Sequence, residues 1–542
     1  MNRQINIVCL AGLAVMIGYS AWTGIIGTDF GYHWDEGSHY WTVNRTFKTR
    51  TIIPDTYYIY PSMTYLVSLL SVSGDVISEI INFEGDIVDF DAAFKSSRFT
   101  IPPERFFVRA RGFFVVFSGL GGLWLFLAAA RLKGPLAGLV AAATYLFSWE
   151  FAYHARWIAT DALVAQFFAL FIFTMVMAET SQNRPRWMIL SAIAAGLATS
   201  TKYPAGMLLI ILLFSHDMGQ RDGNFKLAVG RGEWLGSMGK LVAVYSAAYL
   251  VITPGTLLQP LDFFLDVTSQ FSIYTNSLGE YLGVRPYDIH NPLVYLGRII
   301  EYLSLAQLSR SAPISVLLLA LAGLGYFALF REYRRFAAVL AALFIFAAMF
   351  FSALSVFTVR NILFFLPMLS LLAGVGAGYL FHGSLAKVAR AAIGGLLAAI
   401  FALKAFWLYG DAMAIRDYHE AAPAIEAAAY MRSNPQTSFL LSKGTRARIE
   451  GAGGAIPENA AGNKAKAGFF LFSHREIVAL DPDLGKWPAT GYGNFRWFGT
   501  NEVNFNYYPT WEGRDRIVMI TMDQALDFGI PIDLLAGLGN VE

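Results

Sequence analysis

The chain has 542 residues, of which 56% are hydrophobic and only 15% charged. Soluble domains carry about 25% charged residues, so this composition excludes an ordinary water-soluble protein and requires lipid as the solvent for much of the chain. The net charge of +2 offers no field for gathering nucleic acid, and the single cysteine, Cys9, excludes an internal disulfide.

At the N-terminus, Arg3 precedes an apolar run that continues to about Ile26. That run is longer than a signal-peptide core, and Tyr19-Ser20-Ala21 is a poor cleavage site, so an uncleaved first span is expected. Crossing the hydrocarbon takes roughly 20 apolar residues. This length predicts about eleven spans, near 5–27, 109–130, 134–151, 160–178, 187–201, 203–216, 239–258, 312–330, 336–357, 361–381 and 389–409. The third, fifth and sixth are short. The expected fold is an all-α polytopic membrane protein.

With the N-terminus inside, alternate connections carry Arg131 and Lys133, Arg184 and Arg186, Arg221, Lys226 and Arg231, Arg331, Arg334 and Arg335, then Lys387 and Arg390. Each has at least two cations, as the positive-inside bias requires. The outer, periplasmic or extracytoplasmic face then receives the loops 28–108 and 259–311 and the tail from about 410. The division expected is a membrane domain over 1–410 and an outer-face domain over 411–542. In the tail, Tyr418 to Met431 has a helical pattern closed by Asn434-Pro435, and Ser438–Ser442 and Ile517–Thr521 read as strands. Gly451–Gly468 reads as a flexible loop, so the tail is expected to be a small mixed α/β domain.

Ionisable residues at membrane depth are costly and mark function by default. Four positions map to the outer boundary. Asp35-Glu36 follows the first span among Tyr32, Trp34, Tyr40 and Trp41; a carboxylate in low-dielectric surroundings can act as a general base, whereas an aromatic belt with solvated acids is the plainer reading. Glu36-x-x-His39 has the i, i+3 spacing of di-iron bundles, and a divalent metal shared with His33 and Asp35 is a weak alternative. It is not HExxH and no second ligand cluster pairs with it, so the metal signal is weak: no cofactor is implied, and a divalent metal stays open as an alternative.

Arg156 and Asp161 lie in the tight turn between the third and fourth spans, where Asp161 alternatively caps the next helix with Thr160. Lys202 sits in Ser200-Thr201-Lys202-Tyr203-Pro204, where snorkelling would account for it alone. Arg360 is a lone cation in another short outer turn. Snorkelling does not explain why three cations gather in short connections on the face the positive-inside bias disfavours. Together they suit a phosphate, while a carboxylate works on a hydroxyl.

These residues resemble the GT-C superfamily of polyprenyl-phosphate-sugar-dependent glycosyltransferases, in the branch of protein O-mannosyltransferases and the lipid A aminoarabinose transferase. The resemblance covers roughly residues 1–435. It rests on Asp35-Glu36, on Arg156 with Asp161, on Gly196-Leu197-Ala198-Thr199-Ser200-Thr201-Lys202-Tyr203, and on Arg360 before Pro367. It implies a sugar donor linked to polyprenyl monophosphate, a lipid, glycan or protein acceptor, and transfer with inversion. In that scheme Asp35 takes the acceptor's proton, Glu36 and Asp161 assist, and Lys202, Arg156 and Arg360 hold the phosphate. Tyr40, Tyr60, Asp288 and His290 are candidates for the acceptor or sugar site. The acidic stretch Gly74 to Asp91 and the tail beyond about 435 match nothing in the family pattern. A secondary transporter or flippase is the rival reading; it predicts charges at the bilayer midplane and broken helices in related halves.

Overall fold

The computed structural model describes residues 3–28, 36–49, 53–54, 62–81, 101, 103–221, 227, 229–275, 291–305, 307–355, 357, 359–382 and 386–442, and in the tail 445–446, 449–450, 456, 469–473, 496–498, 504–505, 508–509 and 517–521. Asp35, Tyr60, Asp288, His290 and most of Gly451–Gly468 lie outside the described residues.

The fold is helical, with little sheet. Eight helices are long and apolar enough to cross a membrane: Ile7–Ile25, Arg105–Lys133, Thr160–Thr180, Arg231–Ile252, Ala312–Glu332, Arg334–Ser352, Val359–His382 and Lys387–Ala414. The other three expected spans are helices of 12, 16 and 14 residues, Pro135–Leu146, Arg184–Thr199 and Met207–Gln220. At 1.5 Å per residue none of these reaches the roughly 30 Å of a hydrocarbon core. The three runs expected to be short, the third, fifth and sixth, are thus short helices, beside the eight long apolar ones among the described residues.

In chain order we label the elements used below α1 (Arg3–Ile25), α2 (Glu36–Thr49), α3 (Ser62–Ile81), α4 (Pro103–Lys133), α5 (Pro135–Leu146), α6 (Trp149–His154), α7 (Thr160–Thr180), α8 (Arg184–Thr199), α9 (Met207–Gln220) and α10 (Arg231–Ile252). There follow α11 (Gly255–Leu258), α12 (Pro260–Thr275), α13 (Pro292–Leu305), α14 (Ala312–Glu332), α15 (Arg334–Ser352), α16 (Phe365–His382) and α17 (Lys387–Ser433). The outer segments expected as loops are thus partly helical. Leu257, Leu258, Leu261, Phe264 and Leu265 of α11 and α12 all point their apolar side chains outward, the pattern of a helix lying in a membrane interface. α17 is a continuous 47-residue helix that joins the last span to the expected tail helix. Nothing between 409 and 418 breaks it, and it stops just before Asn434-Pro435, where proline removes the next donor.

The chain divides into two compact units. The first comprises Met1–Ile25, Arg45–Phe99 and Ala110–Tyr409. Its centre is α16, packed on α14 and α5. Small residues permit the close approach: a Cβ on Gly374 would stand 2.5 Å from the Ala137 carbonyl, and one on Gly376 would strike the Leu321 carbonyl. Helices inside a bilayer associate through such small-residue contacts because lipid supplies no hydrophobic drive between them.

The second unit comprises Ile26–Asn44, Thr100–Arg109 and Gly410–Glu542. Buried Tyr40 donates its hydroxyl to Ile101 O at 3.1 Å and packs edge-on to Phe106, while Asn44 Oδ1 accepts from Ile101 N at 2.9 Å. The end of α17 presents Ala424, Ala427, Ala428 and Met431 to a small sheet through Phe439, Leu441, Leu471, Ile517 and Met519. The sheet contains β1 (Phe439–Leu441), β2 (Phe469–Ser473), β3 (Arg496–Phe498) and β6 (Ile517–Ile520) in the order β1-β2-β6-β3. β1 and β2 run parallel and the other pairs antiparallel; β4 (Asn504–Phe505) and β5 (Tyr508–Pro509) form a separate pair. The two strands expected from sequence are β1 and β6.

Candidate active site

The turn between α6 and α7 is built on aromatic packing. Trp149 stacks on Tyr153 with centroids 5.5 Å apart, and Tyr153 meets Trp157 edge-on at 5.4 Å. Ala155 N and Arg156 N close the turn onto the carbonyls of Phe151 and Tyr153. Every residue from Trp149 to Asp161 is buried, so the charges in this turn are held away from water. Arg156 donates through Nη2 to the Thr23 carbonyl near the end of α1 at 2.7 Å. His154 Nε2 lies 3.5 Å from Glu150 Oε2, both side chains being buried.

The second turn follows α8. Ser200 N returns to the Gly196 carbonyl, Thr201 N and Lys202 N both return to Ala198 O, and the backbone then extends at Lys202. Pro204 has no N–H with which to carry α8 onward. Gly196 has a packing reason: a Cβ there would stand 2.7 Å from Tyr245 O and 2.9 Å from Ala248 Cβ, so only glycine lets α8 approach α10. Tyr245 Oη and the Tyr249 carbonyl then bind Thr199 Oγ1 and Ser200 Oγ at 3.0 and 3.3 Å. On another side, Met63 N at the start of α3 donates to the Ser200 carbonyl at 2.9 Å.

These two turns meet a third, the short 3₁₀ segment Val359–Phe364 leading into α16. Lys202 Nζ donates to Asp161 Oδ1 at 2.5 Å and to Asn361 Oδ1 at 2.6 Å. An ammonium has three N–H donors; the third meets no acceptor among the described residues, and 16% of the Lys202 side chain is exposed. Arg360 and His154 are close enough to act on the Asp161 carboxylate through the Coulomb field.

This geometry decides two alternatives. Asp161 is not the cap of α7: the N-cap is Ala159, with no side-chain hydrogen bond. Its charge nonetheless sits in the first turn, favourably placed towards the helix dipole. Lys202 does not snorkel, because its ammonium turns to a carboxylate and an amide rather than to open water. Arg156, expected to contact phosphate, is buried and tied to α1. Lys202 and Arg360 are thus two cations acting on the Asp161 carboxylate.

Asn361, Glu150 and His154 are functional candidates that sequence reasoning passed over. Asn361 was legible only as the neighbour of Arg360, and Glu150 and His154 stand within seven residues of Arg156. Lys404, buried in α17, was hidden inside an apolar run. Glu36 and His39, on α2 in the second unit, are both buried. Among the described residues no group of three His, Cys, Asp or Glu is placed to hold a metal.

The sequence model of the Dolichyl-phosphate-mannose-protein mannosyltransferase family matches residues 107–255, which hold Arg156, Asp161 and Lys202. No curated protein matches this sequence. Among solved structures, the chain is similar to ArnT from Cupriavidus metallidurans bound to undecaprenyl phosphate, at 15% identity and a TM-score of 0.51, covering 96% of this chain and 98% of that one. The apo state of the same protein matches at 15% identity and a TM-score of 0.50 over the whole of both chains. Archaeal oligosaccharyltransferase AglB from Archaeoglobus fulgidus shares 12% identity, covering 87% of this chain and 70% of that one, at a TM-score of 0.45. The likeness to ArnT over nearly the whole of both chains shows that this chain shares its fold, a polytopic helical architecture as the apolar runs led one to expect.

Proposed function

We propose that this chain is an integral-membrane glycosyltransferase that moves a sugar from a polyprenyl-monophosphate donor to an acceptor hydroxyl at the outer face, with inversion at the sugar carbon. The observation that carries the reading is Lys202. Its ammonium is fixed by Asp161 and Asn361, keeps one N–H to give, and stands with Arg360 in a partly open place. A preorganised cation costs no reorganisation when charge develops on a leaving phosphate, which is the largest contribution such a site can make. The ArnT likeness supports the choice of ligand, since that protein is seen with undecaprenyl phosphate.

In this scheme Asp35 accepts the proton of the acceptor hydroxyl as its oxygen attacks C1 of the sugar. The C1–O bond breaks, and the electron pair leaves on the lipid phosphate, which Lys202 and Arg360 stabilise. Asp161 holds Lys202 in place. Arg156, buried, pins α1 to the turn through the Thr23 carbonyl. Glu36 tunes Asp35 or binds sugar hydroxyls, with Tyr40, Tyr60, Asp288 and His290 as further contacts. Phosphate is a good enough leaving group to need no general acid.

The test is transfer of labelled sugar from polyprenyl-monophosphate donors by the purified chain in vesicles. Lys202→Ala is expected to cut kcat/KM by at least about a hundredfold, the scale of one lost oxyanion donor. Asp35→Asn is expected to abolish transfer while the protein stays folded in the membrane. Full activity in either variant overturns the assignment, and sugar-lipid movement across the bilayer without transfer would favour the transporter.

A further inference from the structure

The segment 307–309 between α13 and α14 has an unusual way of satisfying its backbone. Its three consecutive carbonyls each accept from a side chain on a different part of the first unit. Ser148 Oγ donates to Gln307 O at 2.7 Å, Lys404 Nζ to Leu308 O at 2.7 Å, and Ser315 Oγ to Ser309 O at 3.0 Å. Gln307, Leu308 and Ser309 are all buried. Buried backbone carbonyls need hydrogen-bond partners, and these side chains supply them and hold the segment in one place.

What the segment then holds is Gln307. Its backbone N donates to Tyr302 O at 3.0 Å, and its side-chain Nε2 donates to the carbonyl of Ile362 at 2.9 Å. Ile362 is the residue after Asn361, whose amide oxygen receives Lys202 Nζ at 2.6 Å. We propose that Gln307, anchored by Ser148 and Lys404, is a positioning residue that fixes the 3₁₀ turn at 359–364 and thereby aims the Lys202 ammonium. The catalytic contact is Lys202's own. This explains why a lysine stands buried in α17 with its charge directed at a carbonyl and the Phe401 ring 5.7 Å away: the Leu308 carbonyl would otherwise lack its donor.

The role rests on the transferase reading, so the test carries a readout that does not. In Gln307→Met the volume is kept and the donor to Ile362 is lost. In the full-length protein, acylation of Lys202 by an amine-reactive probe, followed by mass spectrometry of the peptide, is expected to rise several-fold, because the turn that carries Asn361 is released and the Lys202 amine loses that acceptor. For sugar transfer kcat is expected to fall about tenfold, because Lys202 acts on the developing phosphate charge, with the donor KM within about threefold. Asn361→Ala is expected to add little when combined with Gln307→Met.

Unchanged Lys202 labelling overturns the proposal, as does a fall in melting temperature with labelling and kcat untouched, which marks a purely structural bond. If the wild-type chain transfers no sugar, the glycosyltransferase reading fails while the labelling still decides the positioning role. If Gln307→Met does not fold, Ser148→Ala removes a single anchoring bond and is expected to give the same labelling change at smaller size; no change there overturns the proposal.

Discussion

Three of the membrane helices have the same mean hydropathy, 1.9, and very different fates. Thr160–Thr180 and Val359–His382 are 83% and 94% buried, whereas Lys387–Ala414 is 22% buried. Arg231–Ile252, at 1.5, is only 6% buried. The two buried helices are the ones whose starts carry Asp161 and Asn361. A carboxylate at the start of a buried helix is screened from solvent and fixed by its neighbours, while the outer helices bury only a small share of their side chains. Hydropathy alone does not separate the two kinds, because lipid and protein interior are equally apolar solvents.

The largest effect expected from this contrast comes from glycine substitutions. Gly376 on the buried helix has no room for a Cβ beside the Leu321 carbonyl, and Gly395 on the outer helix has open space around it. Gly376→Leu is expected to abolish recovery of folded protein, since overpacking of this kind forces backbones apart and costs upwards of about 3 kcal/mol. Gly395→Leu is expected to leave thermal stability in detergent unchanged. Equal losses would erase the distinction between core and outer helices.

Next in size is Asp161→Asn. Removing one partner of a buried ion pair strands the other and costs about 3–5 kcal/mol. Here the stranded group is Lys202, with Asn361 left as its acceptor. Both melting temperature and sugar transfer are expected to fall, and a normal melt with normal transfer would show that the pair is incidental.

How much of this was legible beforehand follows the same division. The apolar runs marked the long helices of the bundle, because a long uncharged stretch has few other uses. They also marked the third, fifth and sixth as short, and these are the helices of 12, 16 and 14 residues that complete the bundle by packing on others; the helices within the outer segments were not marked. Asp161, Lys202 and Arg360 stood out because charge is rare in this chain. Asn361 and Gln307 did not: a neutral amide next to an apolar run carries no signal until its partners appear. The break expected after the last span reflected a change of composition, yet α17 continues because polar residues form helix as readily as apolar ones. Lys404 sits in the same helix, where its one charge was averaged away by the residues around it.

The smallest effect should come from an ion pair outside the core. Arg298 Nη1 and Glu301 Oε2 on α13 are 2.9 Å apart, scarcely longer than the Lys202–Asp161 contact, but their side chains are 51% and 40% exposed. Distance alone would rank the two pairs together. Exposure separates them, because solvent screens the attraction and the long side chains lose freedom in holding the geometry. Arg298→Gln is expected to change stability by no more than about 0.5 kcal/mol, seen as an unchanged melting temperature, and to leave sugar transfer within twofold. A marked loss of transfer with stability intact would mean that α13 belongs to the working site, and the boundary drawn between buried core and outer helices would have to move outward to include it.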